Sequence, residues 1–292
     1  MKYAFYLGCW IKTELYNIEI STRQVLPKFG IELVDIEGFS CCGYPMRSYN
    51  QNMMVYLSAR NIAIAESAGL DLFPLCNGCH ASICEVKHAL DNNPELRNKI
   101  NENLEIEGLK YNGKSRVVHI IDILHKDIGI KAISESTKNS LNHIKLAPHY
   151  GCHAFRPSIV GRPEEPETPH ILDDLIKAIG GDAPYYPEKL DCCGSSLGVA
   201  EIDTALDVAG TKLKAIHARG YEGIVTICPF CHKMFDTRQE VVKRVIQRED
   251  IKLPVLYYTQ LLGLAMGLDA RKLGLHLNQS PVDLIIDKIR GV

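Results

Sequence analysis

Short apolar runs alternate with longer amphipathic stretches along the chain, and this rhythm predicts strands and helices in turn. Residues 3–7 read as a strand, 14–29 as a helix stopped by Gly30, and 31–36 as a second strand that alternates at its start. Residues 52–68 predict a helix ending at Gly69, 71–75 a strand, and a further helix starts near His80. Residues 116–119 then predict a strand, and 121–128 a helix before Gly129. From residue 145 the order begins again: strand 145–150, helix 170–179 before Gly180 and Gly181, strand 183–186, helix 199–219 and strand 223–227. A helix from Cys231, a strand at 254–257 and a helix from Thr259 complete the second set. The clearest stripe is Ile202, Leu206, Ala209, Leu213 and Ile216, spaced four, three, four and three, which is one face of one helix. Repeated strand, helix, strand units imply an α/β protein: two tandem pseudo-symmetric domains, each a small parallel sheet flanked by helices.

The cysteines repeat with the elements. Cys9, Cys41, Cys42, Cys76 and Cys79 form one set, and Cys152, Cys192, Cys193, Cys228 and Cys231 the other. Intervals of 31 and 33 residues in the first set become 39 and 34 in the second, and each set closes with CxxC. Gly30 and Gly181, the two cysteine pairs, and Gly69 and Gly220 are all offset by 151 positions, while the CxxC cysteines, His80 and His232 are offset by 152. Such registration marks an internal duplication. Residues 95–113 are longer than their counterpart and 134–142 are polar, placing the boundary near 140, with domains at 1–140 and 141–292. The run at 162–168 reads as a Pro-rich acidic surface loop.

Composition narrows the class. The chain has 292 residues, 46% hydrophobic and 23% charged, with a formal net charge of −2, so it carries no basic footprint for nucleic acid or a membrane surface. The apolar run before Cys9 is too short for a secretory or lipoprotein leader, and 261–268 falls far short of the ~20 residues of a membrane span. A cytoplasmic location without a span is expected. In that reducing setting, eleven cysteines point to metal or thiol chemistry rather than to structural disulfides.

Each cysteine group is expected just beyond a strand end, where ligands bind in parallel sheets. One zinc ion takes four ligands in a tetrahedron, whereas five thiolates with an adjacent pair exceed that number and also the four of an ordinary cubane cluster. Each set therefore reads as the cradle of one iron-sulfur cluster of unusual geometry. Helices that start after the cysteines would turn their N-terminal N–H groups toward the sulfur. Gly8, Gly43, Gly78, Gly151 and Gly194 permit close backbone approach. A structural zinc in each half, or a reactive CxxC pair, leaves thiols unexplained. Cys84 aligns with Asp236 and reads as a buried thiol on a helix. His80 and His232 suggest a shared structural task. Arg47, His153 and Arg156 are the basic groups nearest the inferred sites and are candidate contacts for an anionic substrate, ahead of His149, Arg162, Lys189 and Lys233.

With these motifs, the chain resembles CCG-domain iron-sulfur proteins, and more narrowly the B subunit of heterodisulfide reductase. KYAFYLGC at 2–9, HYGCH at 149–153, CPFCH at 228–232 and QLLGLAMGLD at 260–269 carry the likeness. It implies two noncubane [4Fe-4S] clusters, one on each five-cysteine set, and reduction of the mixed disulfide of coenzyme M and coenzyme B between them. No CxxCxxCxxxCP ferredoxin signature occurs, so electrons must arrive from another chain. By the same resemblance, that chain is the ferredoxin-like iron-sulfur C subunit of heterodisulfide reductase, fed in turn by the flavoprotein A subunit, which draws on a hydrogenase or formate dehydrogenase. A relay role toward a quinone or organic-acid oxidoreductase is the alternative.

Overall fold

The computed structural model describes residues 1–158, 160, 164–198 and 200–291. The expected loop positions Arg162 and Pro163, and the expected helix start at Val199, lie outside the described residues.

The strands are β1 (Lys2–Tyr6), β2 (Glu32–Val34), β3 (Asp71–Pro74), β4 (Leu146–His149), β5 (Gly223–Thr226) and β6 (Val255–Tyr257). They form two three-stranded parallel sheets in the orders β2-β1-β3 and β4-β5-β6. Central β1 and β5 are almost wholly buried, because helices cover both faces of a parallel sheet. Each sheet also gains one further bridge. Val117 pairs with Leu72 beyond β3, and Asp182 pairs with Lys145 beside β4. With these bridges included, the two halves share one order, and each shortens a different strand position to a single bridge.

The reasons are local. The strand expected at 183–186 contains Pro184, which has no N–H for a ladder, so pairing stops at Asp182. The strand expected at 116–119 ends because His119 caps the helix Ile120–Asp122, its Nδ1 accepting from Ile121 N–H at 3.3 Å. The single helix expected over 14–29 is instead Tyr16–Val25 followed by a tighter turn, Leu26–Phe29, entered through Pro27. The helix Gln51–Ser67 is capped by Asn50, whose side chain accepts from Met53 N–H. Its counterpart Ile202–Ala218 buries Leu206, Ala209, Leu213 and Ile216, leaving Ile202 41% exposed at the first turn. Helix Pro94–Glu105 fills the longer segment of the first half.

The two halves interlock. Helix Tyr16–Val25 packs on Tyr258–Ala265 of the second half, and Ile171–Ala178 packs on Ile130–Glu135 of the first. Ser21 Oγ meets Thr259 Oγ1 at 2.7 Å, and Asn17 Nδ2 donates to Asn278 Oδ1 at 2.9 Å across this contact. Both apolar cores draw residues from each half. The buried Tyr257 hydroxyl is shared between two carbonyls, Leu75 O at 3.1 Å and Ile227 O at 3.2 Å. Those carbonyls immediately precede Cys76 and Cys228, so the strand ends of the two halves are brought together at the cysteines.

Candidate metal centre

The backbone delivers the cysteines in matched ways. Cys9 stands just before the helix Trp10–Thr13, Cys76 just before Asn77–Asn92 and Cys228 just before Pro229–His232, each at the N-cap position without a side-chain capping bond. After each adjacent pair, Gly43 and Gly194 take left-handed φ values of 80° and 77° and turn the chain into short 3-10 helices, Tyr44–Met46 and Ser195–Leu197. In that turn Gly43 N–H donates to Cys41 Sγ at 3.4 Å and Gly194 N–H to Cys192 Sγ at 3.3 Å.

The ten thiols crowd together. Cys152 Sγ lies 4.0 Å from Cys192 Sγ, and within each half every cysteine perturbs the ionisation of its neighbours. The two sets adjoin: Cys228 raises Cys76 and Cys76 lowers Cys228, and Asn77, beside Cys76, donates through Nδ2 to Tyr150 O at 2.7 Å, two residues before Cys152.

Crowding pushes the thiols apart in acidity. Interaction with Cys42 and Cys9 holds Cys41 down to about 2, and interaction with Cys152 and Cys193 holds Cys192 down to about 2. Burial works against Cys228, but Cys231 and Cys76 keep it well below the thiol range. Their neighbours move the other way: Cys41 pushes Cys42 up to about 12, and Cys9, Cys76, Cys79, Cys152, Cys193 and Cys231 all rise. Ten sulfurs this close cannot all ionise unless positive charge comes among them.

That donor set fits a polynuclear metal-sulfur group. All eleven cysteines are reduced, and the sulfurs exceed what two tetrahedral ions would use. Gly8 and Gly151, with φ values of 67° and 72°, leave room that a side chain would fill: a Cβ would lie 3.1 Å from Cys79 Sγ and 3.0 Å from Cys231 Sγ.

The candidate basic contacts divide. His153 lies in the gap between the halves, Nδ1 3.2 Å from Cys152 Sγ and Nε2 2.9 Å from the Tyr44 hydroxyl. Arg47 pairs with Glu85 at 3.1 Å, and Arg156 is exposed. Lys189 is buried against Asp173, and Lys233 pairs with Glu14 above the Trp10 ring. His80 meets His119 edge-on at 4.9 Å and lies 3.5 Å from Cys84 Sγ, while His232 contacts Thr226 and Asn17 and lies 3.7 Å from Asp236, so each histidine reaches the residue four positions on. Cys84, expected buried, is half-buried beside His80. Sequence reasoning missed Tyr44, Asn77 and Phe230, which line the gap, and Lys12, which lines a cleft beside Cys9 and Cys41. Only their places beside CCG, within CxxC or after Cys9 signalled them. A surface groove near Met53, Tyr56 and Ile100 has no cysteine in its lining.

A duplicated α/β chain whose two cysteine sets meet at their CxxC motifs defines a class. The chain belongs to the CCG cysteine-rich domain family, which matches residues 3–84 and 146–236. Within it, the chain is 36% identical to the B subunit of the ferredoxin/F420H2-dependent CoB-CoM heterodisulfide reductase of Methanosarcina acetivorans, covering 95% of this chain and 93% of that one. It is 35% identical to a protein of Archaeoglobus profundus that is named for its likeness to the B subunit of heterodisulfide reductase, over 99% and 98% of the two chains. It is also 28% identical to the 8-methylmenaquinol:fumarate reductase membrane anchor subunit of Wolinella succinogenes, over 95% and 96%. No described helix of this chain is long and apolar enough to cross a membrane. A crystal structure of a hypothetical protein from Helicobacter pylori shares the fold, with a TM-score of 0.77 at 19% identity over 96% of this chain, which spans about half (52%) of that one.

Proposed function

We propose that this chain is the disulfide-reducing component of an iron-sulfur oxidoreductase, of the type of the heterodisulfide reductase B subunit. Its two five-cysteine sets would each hold one noncubane [4Fe-4S] cluster, with Cys9, Cys41, Cys42, Cys76 and Cys79 on one and Cys152, Cys192, Cys193, Cys228 and Cys231 on the other. The observation that carries this reading is the Tyr257 hydroxyl held between Leu75 O and Ile227 O, the carbonyls just before Cys76 and Cys228, which supports two thiol cradles side by side at one gap.

When bound, such clusters supply single electrons and iron that accepts sulfur. The chain's own residues do the rest. Cleavage of R–S–S–R′ to two thiols consumes two electrons and two protons, and the two cradles give each departing sulfur its own side of the gap. Tyr44 and Phe230 wall the gap with aromatic rings 6.4 Å apart, and the Trp10 ring packs on Phe230 at 5.4 Å. Burial holds His153 below its usual range and raises Tyr44, so the pair enters as neutral imidazole and phenol, able to pass a proton inward from the exposed side. The substrate is the coenzyme M and coenzyme B disulfide or a related one. Electrons arrive from a ferredoxin-like iron-sulfur partner and a flavoprotein partner linked to a hydrogenase or formate dehydrogenase.

The full-length likeness to a component of a quinol-linked fumarate reductase favours a second reading, in which the chain relays electrons to or from a quinone-linked oxidoreductase. Anaerobic purification with iron and sulfide analysis tests the cofactor: about eight irons per chain are expected for two four-iron clusters. Turnover with an artificial donor and the coenzyme disulfide then separates the readings. Thiol release supports the reductase, and its absence from fully metallated protein favours the relay.

A further inference from the structure

The duplication is imperfect at two buried positions behind the sulfurs. Three residues before Cys9 stands Tyr6, and three before Cys152 stands His149. The Tyr6 hydroxyl is satisfied, donating to Ser40 O at 2.7 Å. His149 is fully buried and neither ring nitrogen has a hydrogen-bond partner. Its ligating nitrogen, Cys193 Sγ and Cys231 Sγ lie within 4.8 Å of one another, while the Phe235 ring stands edge-on at 4.9 Å. An imidazole has an N–H to offer at this position in either tautomer. Leaving a buried polar atom without a partner is destabilising, so a ring nitrogen beside these sulfurs has a reason to be there only if the site fills.

The second difference reinforces the first. On the helices behind the two sites, Asn61 of the first half aligns with Lys212 of the second at the 151-residue offset. Asn61 Nδ2 donates to Cys41 O at 3.0 Å, whereas Lys212 Nζ donates to Lys189 O at 3.0 Å and Asp191 O at 3.1 Å. One cradle is backed by a neutral amide, the other by a buried cation.

We propose that His149 donates a ring N–H to a sulfur of the second-half metal-sulfur group, making the second site the more easily reduced of the two. This rests on the iron-sulfur reading above. A hydrogen bond to sulfur and a nearby cation both stabilise the charge gained on reduction, and so raise the potential. His149 is thus a positioning residue that makes two similar cradles electrically unequal, and the first electron settles in the second half.

The test is an anaerobic redox titration of the full chain followed by electron paramagnetic resonance, with iron and sulfide measured on each sample. His149→Phe is expected to lower one midpoint at least tenfold in reduction equilibrium, about 59 mV for one electron, and to leave the other in place. In protein labelled with 15N-histidine, His153→Phe is expected to keep a weak nitrogen coupling to the reduced centre that His149→Phe loses. An unchanged midpoint at full iron content overturns the proposal. If His149→Phe does not assemble, the labelled His153→Phe sample decides: no nitrogen coupling, or a strong one from a direct iron–nitrogen bond, overturns it. Protein that takes up no iron and sulfide sinks the underlying reading instead.

Discussion

Replacing Gly43 by alanine makes two separate demands on the chain. The first is conformational: at φ 80° an L-residue incurs the left-handed penalty, about 1–2 kcal/mol. The second is steric. The new Cβ would lie 2.7 Å from Met54 Cα and 2.9 Å from Met54 O, which are backbone atoms of the helix Gln51–Ser67 and cannot rotate aside. Overpacking of that kind adds about 1–3 kcal/mol, for a total of about 2–5 kcal/mol. Gly30→Ala provides the comparison, because its φ of 74° carries the first penalty and its Cβ would meet nothing within 4 Å. Gly194→Ala, with Ala205 O only 2.4 Å away, is expected to match or exceed Gly43→Ala. Urea unfolding of the anaerobically purified proteins reads the differences through the midpoint at constant slope. Equal losses for Gly43→Ala and Gly30→Ala would refute the claim that the CCG glycine is required by helix contact as well as by backbone angle.

Tyr257→Phe orphans the buried carbonyls of Leu75 and Ile227 and is expected to cost about 1–3 kcal/mol in the same urea assay. Burial depresses Lys212 from 10.5 to about 8, so between those values the unfolded chain holds a proton that the native chain has released. Stability of the metal-free protein is therefore expected to rise by about 3 kcal/mol from pH 8 to pH 10.5, with no further contribution from Lys212 below pH 8 or above 10.5; the difference from Lys212→Met isolates this rise. Cys193→Ala is expected to remove one cluster and leave about four irons per chain instead of about eight, measured by iron analysis with electron paramagnetic resonance. Asn77→Ala removes the bonds to Tyr150 O at 2.7 Å and to His119 at 3.0 Å, and a loss of about 1–2 kcal/mol is expected by urea unfolding.

The repeat and the alternation of strands and helices along each half were legible because they rest on local patterns: apolar runs, stopping glycines and cysteines at matched offsets. The helix Pro94–Glu105 was not assigned, since only Leu96, Ile100 and Leu104 mark its face among charged and amide residues. Both weak strands failed for local reasons, a proline at 184 and a capping role for His119. The ten cysteines and their spacing were legible, but how their two sets come together was not. The bonds that join the halves there, from Asn77 to Tyr150 O and from Tyr257 to Leu75 O, span separations that carry no periodic signal. His149 illustrates the same limit. As a residue it is an ordinary histidine in a strand, and only tertiary packing shows that both its nitrogens face no protein partner.

The crossed packing of Tyr16–Val25 on Tyr258–Ala265, and of Ile171–Ala178 on Ile130–Glu135, means that each repeat lends a flank to its twin. A chain carrying a single copy would close those flanks only by clasping a second molecule of itself about a twofold axis. A nick between positions 136 and 145 is accordingly expected to leave two fragments that copurify, since the link that is cut is not what holds them.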